Sequence, residues 1–174
     1  RNGSDGTNGE QIPLNGNPAD GSSGGALGPQ TFTFGGSRES ISGSAIFVNG
    51  SGGAGGDGAN GVVVSGGAGD GAPGGAGTVL TVNHTGLASV GPAGGFAGVS
   101  VRSRGGDGGD GGNGATTIVS NGGDGARGGN GGAITVNNRE TANITTRRAG
   151  SYGINARSLG GHGGDGGKGG NGDD

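Results

Sequence analysis

Polar residues stand at every third position of several glycine runs. They form the columns Ala54, Asp57 and Asn60; Asp107, Asp110 and Asn113; Asp124, Arg127, Asn130 and Ala133; and His162, Asp165, Lys168 and Asn171. Carboxylates, amides, cations and an imidazole repeated in this way could hold calcium, pair between runs, or act as acids and bases. Spacing limits each chemistry. Column neighbours in an extended run lie roughly 9 Å apart at about 3.1 Å per residue, too far for direct pairing, so these side chains are expected to face water. Between adjacent runs, Asp110 is expected to meet Arg127 or Lys168, in exposed pairs worth about 0–1 kcal/mol that set register more than stability. His84 and His162 sit in unrelated contexts with no companion Ser, Asp or Cys at a workable spacing, which leaves no zinc site or catalytic group. Phosphate loops need a strand, a loop and a helix with a Lys-Ser/Thr ending; Lys168 is followed by Gly169. Ice binding would want a flat array of Thr or Ala, and the columns carry Asp, Lys, His and Arg instead.

The stretch Gly55-Gly56-Asp57-Gly58-Ala59-Asn60-Gly61-Val62-Val63 is partly similar to the calcium-binding nonapeptide of RTX proteins. Asn60 stands where that pattern has Asp, and the copies are not tandem. Calcium takes about six to eight oxygens, more than isolated Asp residues on an extended rod supply. The reading is therefore a non-enzyme with no metal or cofactor.

The element that must carry the columns is the Gly-Gly-X register, clearest in residues 160–172. Three residues per turn is the period of polyglycine II, an extended left-handed helix without internal hydrogen bonds. One edge then carries the X side chains and the other two are bare backbone. Side by side, such tracts can exchange N–H···O=C bonds, with weaker Cα–H···O contacts added. Glycine numbers 55 of 174 residues, while hydrophobic residues are 26% and aromatics 3%. That composition cannot build an ordinary core, so order has to come from dense backbone hydrogen bonding. A flexible glycine-rich linker is the bland alternative, but it needs neither the register nor the β-like segments between the runs.

Net charge is −3 with both signs scattered, which argues against a nucleic-acid partner or a polybasic membrane anchor. No apolar run is long enough to insert in a membrane, and no signal peptide is visible. There is no cysteine, hence no disulfide. With no methionine anywhere, a chain starting at Arg1 is expected to be a processed product or a segment of something longer.

An internal repeat of about 55 residues supplies the strands. Val62–Ser65, Thr78–Asn83 and Val99–Ser103 return as Thr117–Ser120, Ala133–Asn137 and Ile154–Ser158, with Val48 in the place of Val101. Between them lie tracts at 52–61, 66–77, 105–114, 122–132 and 160–172, and connectors at 84–96 and 138–151. Asn60-Gly61, Asn113-Gly114 and Asn130-Gly131 look like positive-φ corners before strands. Residues 1–43 form a polar arm, holding either one more short tract or a frayed end, with a first strand at Thr31-Phe32-Thr33-Phe34; residues 44–174 form the repeat region. The expected fold is all-β and irregular, without α-helix: a polyglycine II bundle beside short stacked strands, like a β-solenoid. The alternative is a parallel β-helix with the tracts as loops.

The passage Gly150-Ser151-Tyr152-Gly153-Ile154-Asn155-Ala156-Arg157-Ser158-Leu159-Gly160-Gly161, with Gly132–Asn137 and Ala142–Thr146 before it, resembles the repeated pattern in passenger regions of glycine-rich autotransporter proteins of Gram-negative bacteria. The resemblance spans residues 44–172. It implies a β-helical passenger, secretion through an outer-membrane barrel, and adhesive or structural work at the cell surface. The Gly-Gly-X tracts are also similar to the bundles of snow-flea antifreeze protein and of phage tail-fibre adhesin tips.

The function expected is a secreted or surface-displayed bacterial structural protein that assembles with itself into a filament or matrix, since open repeat ends invite the next copy. Assembly is placed on Thr31, Phe32, Thr33 and Phe34 and on Gly160, Gly163, Gly166, Gly169 and Gly172. After Asn171-Gly172 the pattern calls for another strand, from a continuing chain or from another molecule. The second reading is an adhesin whose connectors meet a glycan or cell-surface receptor through Arg139, Glu140, Arg147, Arg148 and Tyr152.

Overall fold

The computed structural model describes residues 2–10, 18–41, 43–62, 67–92, 97–115, 119–139 and 141–170. Among them there is no helix, and nine strands recur in threes: β1 (Gln30–Phe34), β2 (Ser37–Ser40), β3 (Ile46–Ser51), β4 (Leu80–His84), β5 (Leu87–Val90), β6 (Ala97–Arg104), β7 (Ile134–Asn138), β8 (Asn143–Thr146) and β9 (Tyr152–Leu159). They pair as three parallel sheets ordered β1-β4-β7, β2-β5-β8 and β3-β6-β9. Each turn of the chain gives one strand to each sheet, and each sheet is open at both edges.

The repeat read from the sequence is this pairing. Val82 lies beside Val136, Asn83 beside Asn137, Val48 beside Val101, and Arg102-Ser103 beside Arg157-Ser158. Thr31–Phe34 belongs to the same stack, because Thr31 pairs with Thr81 and Phe34 with His84. Alternation sends one side chain in two inward: in β4, Leu80, Val82 and His84 are buried while Thr81 and Asn83 are half-buried. The core consists of Ile46, Val48, Leu80, Val82, Ala88, Val99 and Val101, with Phe32, Phe34, Ile134, Val136 and Ile144 packed at its open ends.

Several expectations change. The connectors contain the strands β5 and β8, and the turn after Phe34 contains β2. β2 and β8 are four-residue strands rich in Ser, Thr and Asn, while β5 is equally short but buries Ala88 and Val90; the pairing of all three follows the longer strands on either side. The Asn-Gly pairs are not positive-φ corners; among the described residues the positive-φ glycines are Gly36 and Gly150, which close the turns ahead of β2 and β9. Residues 63–65 and 117–118 of the expected strands lie outside the described residues. Val62 is in no strand, and Ser120 makes an isolated bridge to Gly170.

The glycine tracts lie beside the sheets and number seven, since residues 2–10 and 18–28 join the five expected. One set of tracts runs parallel. Gly55 donates its N–H to the Asp107 carbonyl and Gly58 to Asp110, Gly108 donates to His162 and Gly111 to Asp165, and Gly6 donates to Ala54. The tracts 2–10, 51–61, 105–115 and 160–170 are thereby joined in that order. The second set, 18–28, 67–77 and 121–132, is joined likewise by Gly21 to Asp70 and Gly71 to Asp124. The two sets bond to each other antiparallel: Gly109 donates to Ala72, Gly112 to Gly69, Ala126 to Gly109 and Gly164 to Ala126. Every third N–H therefore points at the same neighbouring tract, and successive N–H groups at different ones.

Glycine is obligatory where the tracts approach this closely. A Cβ on Gly109 would overlap the Gly56 carbonyl oxygen, and one on Gly56 would overlap that of Thr7.

Candidate functional site

In many periods the third N–H, that of the X residue, is satisfied by a side chain. Asp57 donates its N–H to Oδ1 of Asn8 at 3.0 Å, Asp110 to Oδ1 of Asp57 at 2.9 Å, and Asp165 to Oδ1 of Asp110 at 2.8 Å. A second row runs from Asn60 to the N–H of Asn113 and from Asn113 to that of Lys168. A third runs from Asp20 to Asp70 to Asp124 in the antiparallel set. Only a short side chain ending in an oxygen reaches the next tract, which explains why the columns are rich in Asp and Asn. Asp107 serves His162 in the same way.

These rows correct the expected ion pairs. Asp110 pairs with neither Arg127 nor Lys168, because its Oδ1 is held by the Asp165 amide. The ion pair found among the described residues is Arg104 to Asp107 at 2.8 Å, a contact between i and i+3 that no inter-tract reasoning would find. The columns alternate acceptor-bearing residues with Ala54, Arg127, His162 and Lys168, a pattern that could have pointed to a ladder.

Among the described residues, those on which assembly was placed lie at edges. Thr31–Phe34 is β1, the first strand of its sheet, with Phe32 and Phe34 half-buried, ring centroids 6.4 Å apart, and Arg38 5.0 Å over the Phe34 ring. In the tract 160–170, no described residue accepts from the N–H of Gly160, Gly163, Gly166 or Gly169. These glycines also have room. The nearest atom to a Cβ would be 3.6 Å away at Gly160, 3.7 Å at Gly163 and 3.9 Å at Gly166. Gly172 lies outside the described residues. At the other end, the tract 2–10 carries Ser4, Thr7 and Glu10 at positions equivalent to Gly53, Gly56 and Ala59, and Thr7 is tied to Ser22, whose Oγ accepts its N–H at 2.6 Å.

The ligand-loop residues are more scattered. Arg139 follows β7, donates its N–H to the His84 carbonyl, and lines an open depression of about 510 Å³ with Thr85, Asn138 and Thr141. Arg147 follows β8 and bonds through its N–H to Val90; Arg148 accepts from Ser151 in the next turn. Tyr152 opens β9 with 61% of its surface exposed. Glu140 lies outside the described residues. His84 is buried, with Nδ1 2.8 Å from Asn138 Oδ1 and Nε2 without a partner. No three His, Asp or Glu side chains among the described residues converge to hold a metal ion.

No family model, no curated protein and no solved structure matches this chain.

Proposed function

We propose that this chain is a non-enzymatic structural protein of the bacterial exterior, secreted or surface-displayed, that assembles with copies of itself. Its glycine tracts are a polyglycine II bundle and its three sheets a short β-solenoid. Bonding at every third residue and the close approach at Gly56 and Gly109 support the first assignment; parallel registers of 50 to 56 residues support the second. The observation that carries the function is the pair of open sheet edges. β1, β2 and β3 lie at one edge of the three sheets and β7, β8 and β9 at the other, and the N–H groups of Gly160, Gly163, Gly166 and Gly169 have no acceptor among the described residues. Unpaired parallel edges flanking an apolar interior are templates for another chain.

Electron microscopy and light scattering across a dilution series test this, read at once and after incubation near the thermal midpoint, where edges open. Particles that lengthen with concentration, and fail to form when residues 160–170 are deleted, are the expected result. Compact monomers under all of those conditions overturn it.

A second reading is favoured by Arg139, Thr85 and Thr141 around one open depression: an adhesin that presents its turns to a glycan or receptor from a rigid scaffold. A glycan array with the chain and its Arg139→Ala variant decides it, since binding lost in the variant is what this reading requires.

A further inference from the structure

We infer that the outer face of β3, β6 and β9, continued by the tracts that follow them, is a contact surface for the same face of a second copy, turned end for end about a twofold axis. The contact rests on the self-assembly reading, adds a lateral surface to the sheet edges, and is independent of what lies beyond either edge of the stack.

The face is continuous. Along β6, buried Val101 and Ser103 alternate with Arg102 and Arg104, which point outward. Arg104 reaches Asp107, the first X residue of its tract, at 2.8 Å, so the outer side of the strand and the X edge of the tract are one surface. Ser51, Ala54, Arg104 and Asp107 line one open depression on it, and Asp57, Asn60, Asp110 and Asn113 another.

Register sorts the charges of this face into bands. Arg102 lies beside Arg157 on the adjacent strand, about 4.8 Å away, and both are exposed. Like charges directly opposite destabilise a sheet, and neither guanidinium has a partner among the described residues. Farther along, Asp57, Asp110 and Asp165 form the row in which Oδ1 of the first two accepts the next amide. The other oxygen of each carboxylate has no partner among the described residues. At roughly 3.3 Å per strand residue and 3.1 Å per tract residue, the basic and acidic bands are about 25 Å apart.

A face with a basic band toward one end and an acidic band toward the other is complementary to itself. Turned about an axis parallel to the stack, a second copy sets its Asp110 opposite Arg102 and its Asp165 opposite Arg157, and receives the same two contacts in return. The axis passes near the Arg104–Asp107 pair, which meets its counterpart head to tail. Spacing matches as well as sign, because the strands and the tracts are stacked in one register. A simple anion would need only the arginines; the acidic band at the matching spacing selects a second copy. Phe47, 65% exposed, lies one step outside the basic band and comes near Asn60 of the second copy, which covers its ring. Three rungs at about 4.8 Å make each strip narrow, so one contact is weak and screened by salt, while many along two filaments act together.

Sedimentation and electron microscopy of the full chain at about 0.01 and 1 M salt, where charges are screened beyond roughly 30 and 3 Å, test the contact. Paired copies or double-width particles are expected at low salt, separating at high salt. Arg102→Glu/Arg157→Glu is expected to weaken pairing about 100-fold, four exposed charge contacts being worth roughly threefold each, and to leave lengthening intact. Asp110→Lys/Asp165→Lys should also fail to pair with itself, and an equimolar mixture of the two variants should pair again, since Glu then faces Lys. On a denaturing gel, oxidised Arg157→Cys/Asp165→Cys, in a chain without native cysteine, is expected to give disulfide-linked dimers and nothing larger.

Pairing that survives the arginine reversal, or covalent ladders in place of dimers, overturns the twofold contact. Particles that lengthen at single width in low salt overturn it and leave self-assembly standing. Monomers at every salt and concentration, with the strand signal intact, overturn both. Dextran sulfate that binds through Arg102 and Arg157, without pairing of copies, overturns the contact by assigning the basic band to an anionic polymer. Should Asp110→Lys/Asp165→Lys fail to fold, the arginine variant and the cysteine pair decide.

Discussion

Asp110 Oδ1 accepts the main-chain N–H of Asp165 at 2.8 Å. Asp110 donates its own N–H to Asp57 at 2.9 Å, so a carboxylate column on the surface is also part of the backbone hydrogen bonding. Asp110→Ala leaves the Asp165 amide to water and should cost about 1 kcal/mol, the usual net worth of one hydrogen bond, or roughly 2–4 °C for a chain of this size. Asp110→Asn keeps the acceptor and removes one charge from the row Asp57, Asp110 and Asp165, where like charges face each other. Its midpoint should equal or exceed that of the parent in a thermal melt. A loss in the Asn variant as large as in the Ala variant would mean that charge, not the acceptor, holds the tracts in place.

The same residue shows how far the sequence was readable. Period three named Asp110 as an X residue and placed its column on the outside. The pairing of Val82 with Val136 and of Arg102 with Arg157 followed from self-similarity at the repeat length. The partner of Asp110 did not follow, because ion pairing between side chains is the ordinary expectation for exposed Asp and Arg. The competing acceptor role depends on how closely two backbones approach, which period alone leaves open. β2 and β8 were hidden for another reason: Ser37–Ser40 and Asn143–Thr146 carry almost no apolar alternation, and their strand geometry comes from neighbours far away in the chain. The tract 18–28 was hidden because Pro18, Ala19, Ser22 and Ser23 interrupt its register. The edge position of Gly160, Gly163 and Gly166 could be guessed from the pattern, but their difference from Gly109 required coordinates.

Ser103 joins the strand stack to the tract bundle. It is buried, donates from Oγ to the Thr78 carbonyl at 2.7 Å, and accepts the Gly132 N–H at 3.0 Å. Ser103→Ala strands both groups in a dry place, at about 1–3 kcal/mol for each unsatisfied buried group. The midpoint should fall by well over the shift given by Asp110→Ala, and amide exchange should quicken first at Gly132. Equal melting of the parent and the Ala variant would show that water reaches this joint.

His84 stands in the column Phe34, His84, Asn138 and fills an inward position where Leu80 and Val82 are its strand neighbours. With Nδ1 on Asn138, its buried Nε2 has no partner, a desolvation cost of about 1–3 kcal/mol. Asn138 is exposed and can turn to water. His84→Leu is therefore expected to stabilise the chain by about 1 kcal/mol through removal of that unsatisfied nitrogen, measured by denaturant titration with an unchanged slope. A variant less stable than the parent would show that Nε2 has found a partner in solution, such as an enclosed water.

Gly109 and Gly163 separate interior from edge within one kind of tract. A Cβ at Gly109 would overlap the Gly56 carbonyl oxygen, a backbone atom that cannot move without shifting the whole tract. At Gly163 the nearest atom to a Cβ is 3.7 Å away. Neither glycine has a positive φ, so alanine can adopt either conformation, and the contrast reports packing alone. Gly163→Ala should stabilise the monomer by about 0.4–1 kcal/mol, because the unfolded chain loses freedom. Gly109→Ala should cost several kcal/mol, near the upper end of single-site effects at about 4–5 kcal/mol, and leave little folded protein at room temperature. The same Gly163→Ala protein should assemble poorly on the self-assembly reading, since the added methyl stands on the open edge of the bundle. Thermal melts give the first two quantities and light scattering the third. A stabilised Gly163→Ala protein that assembles as well as the parent would place the contact between copies elsewhere than this edge.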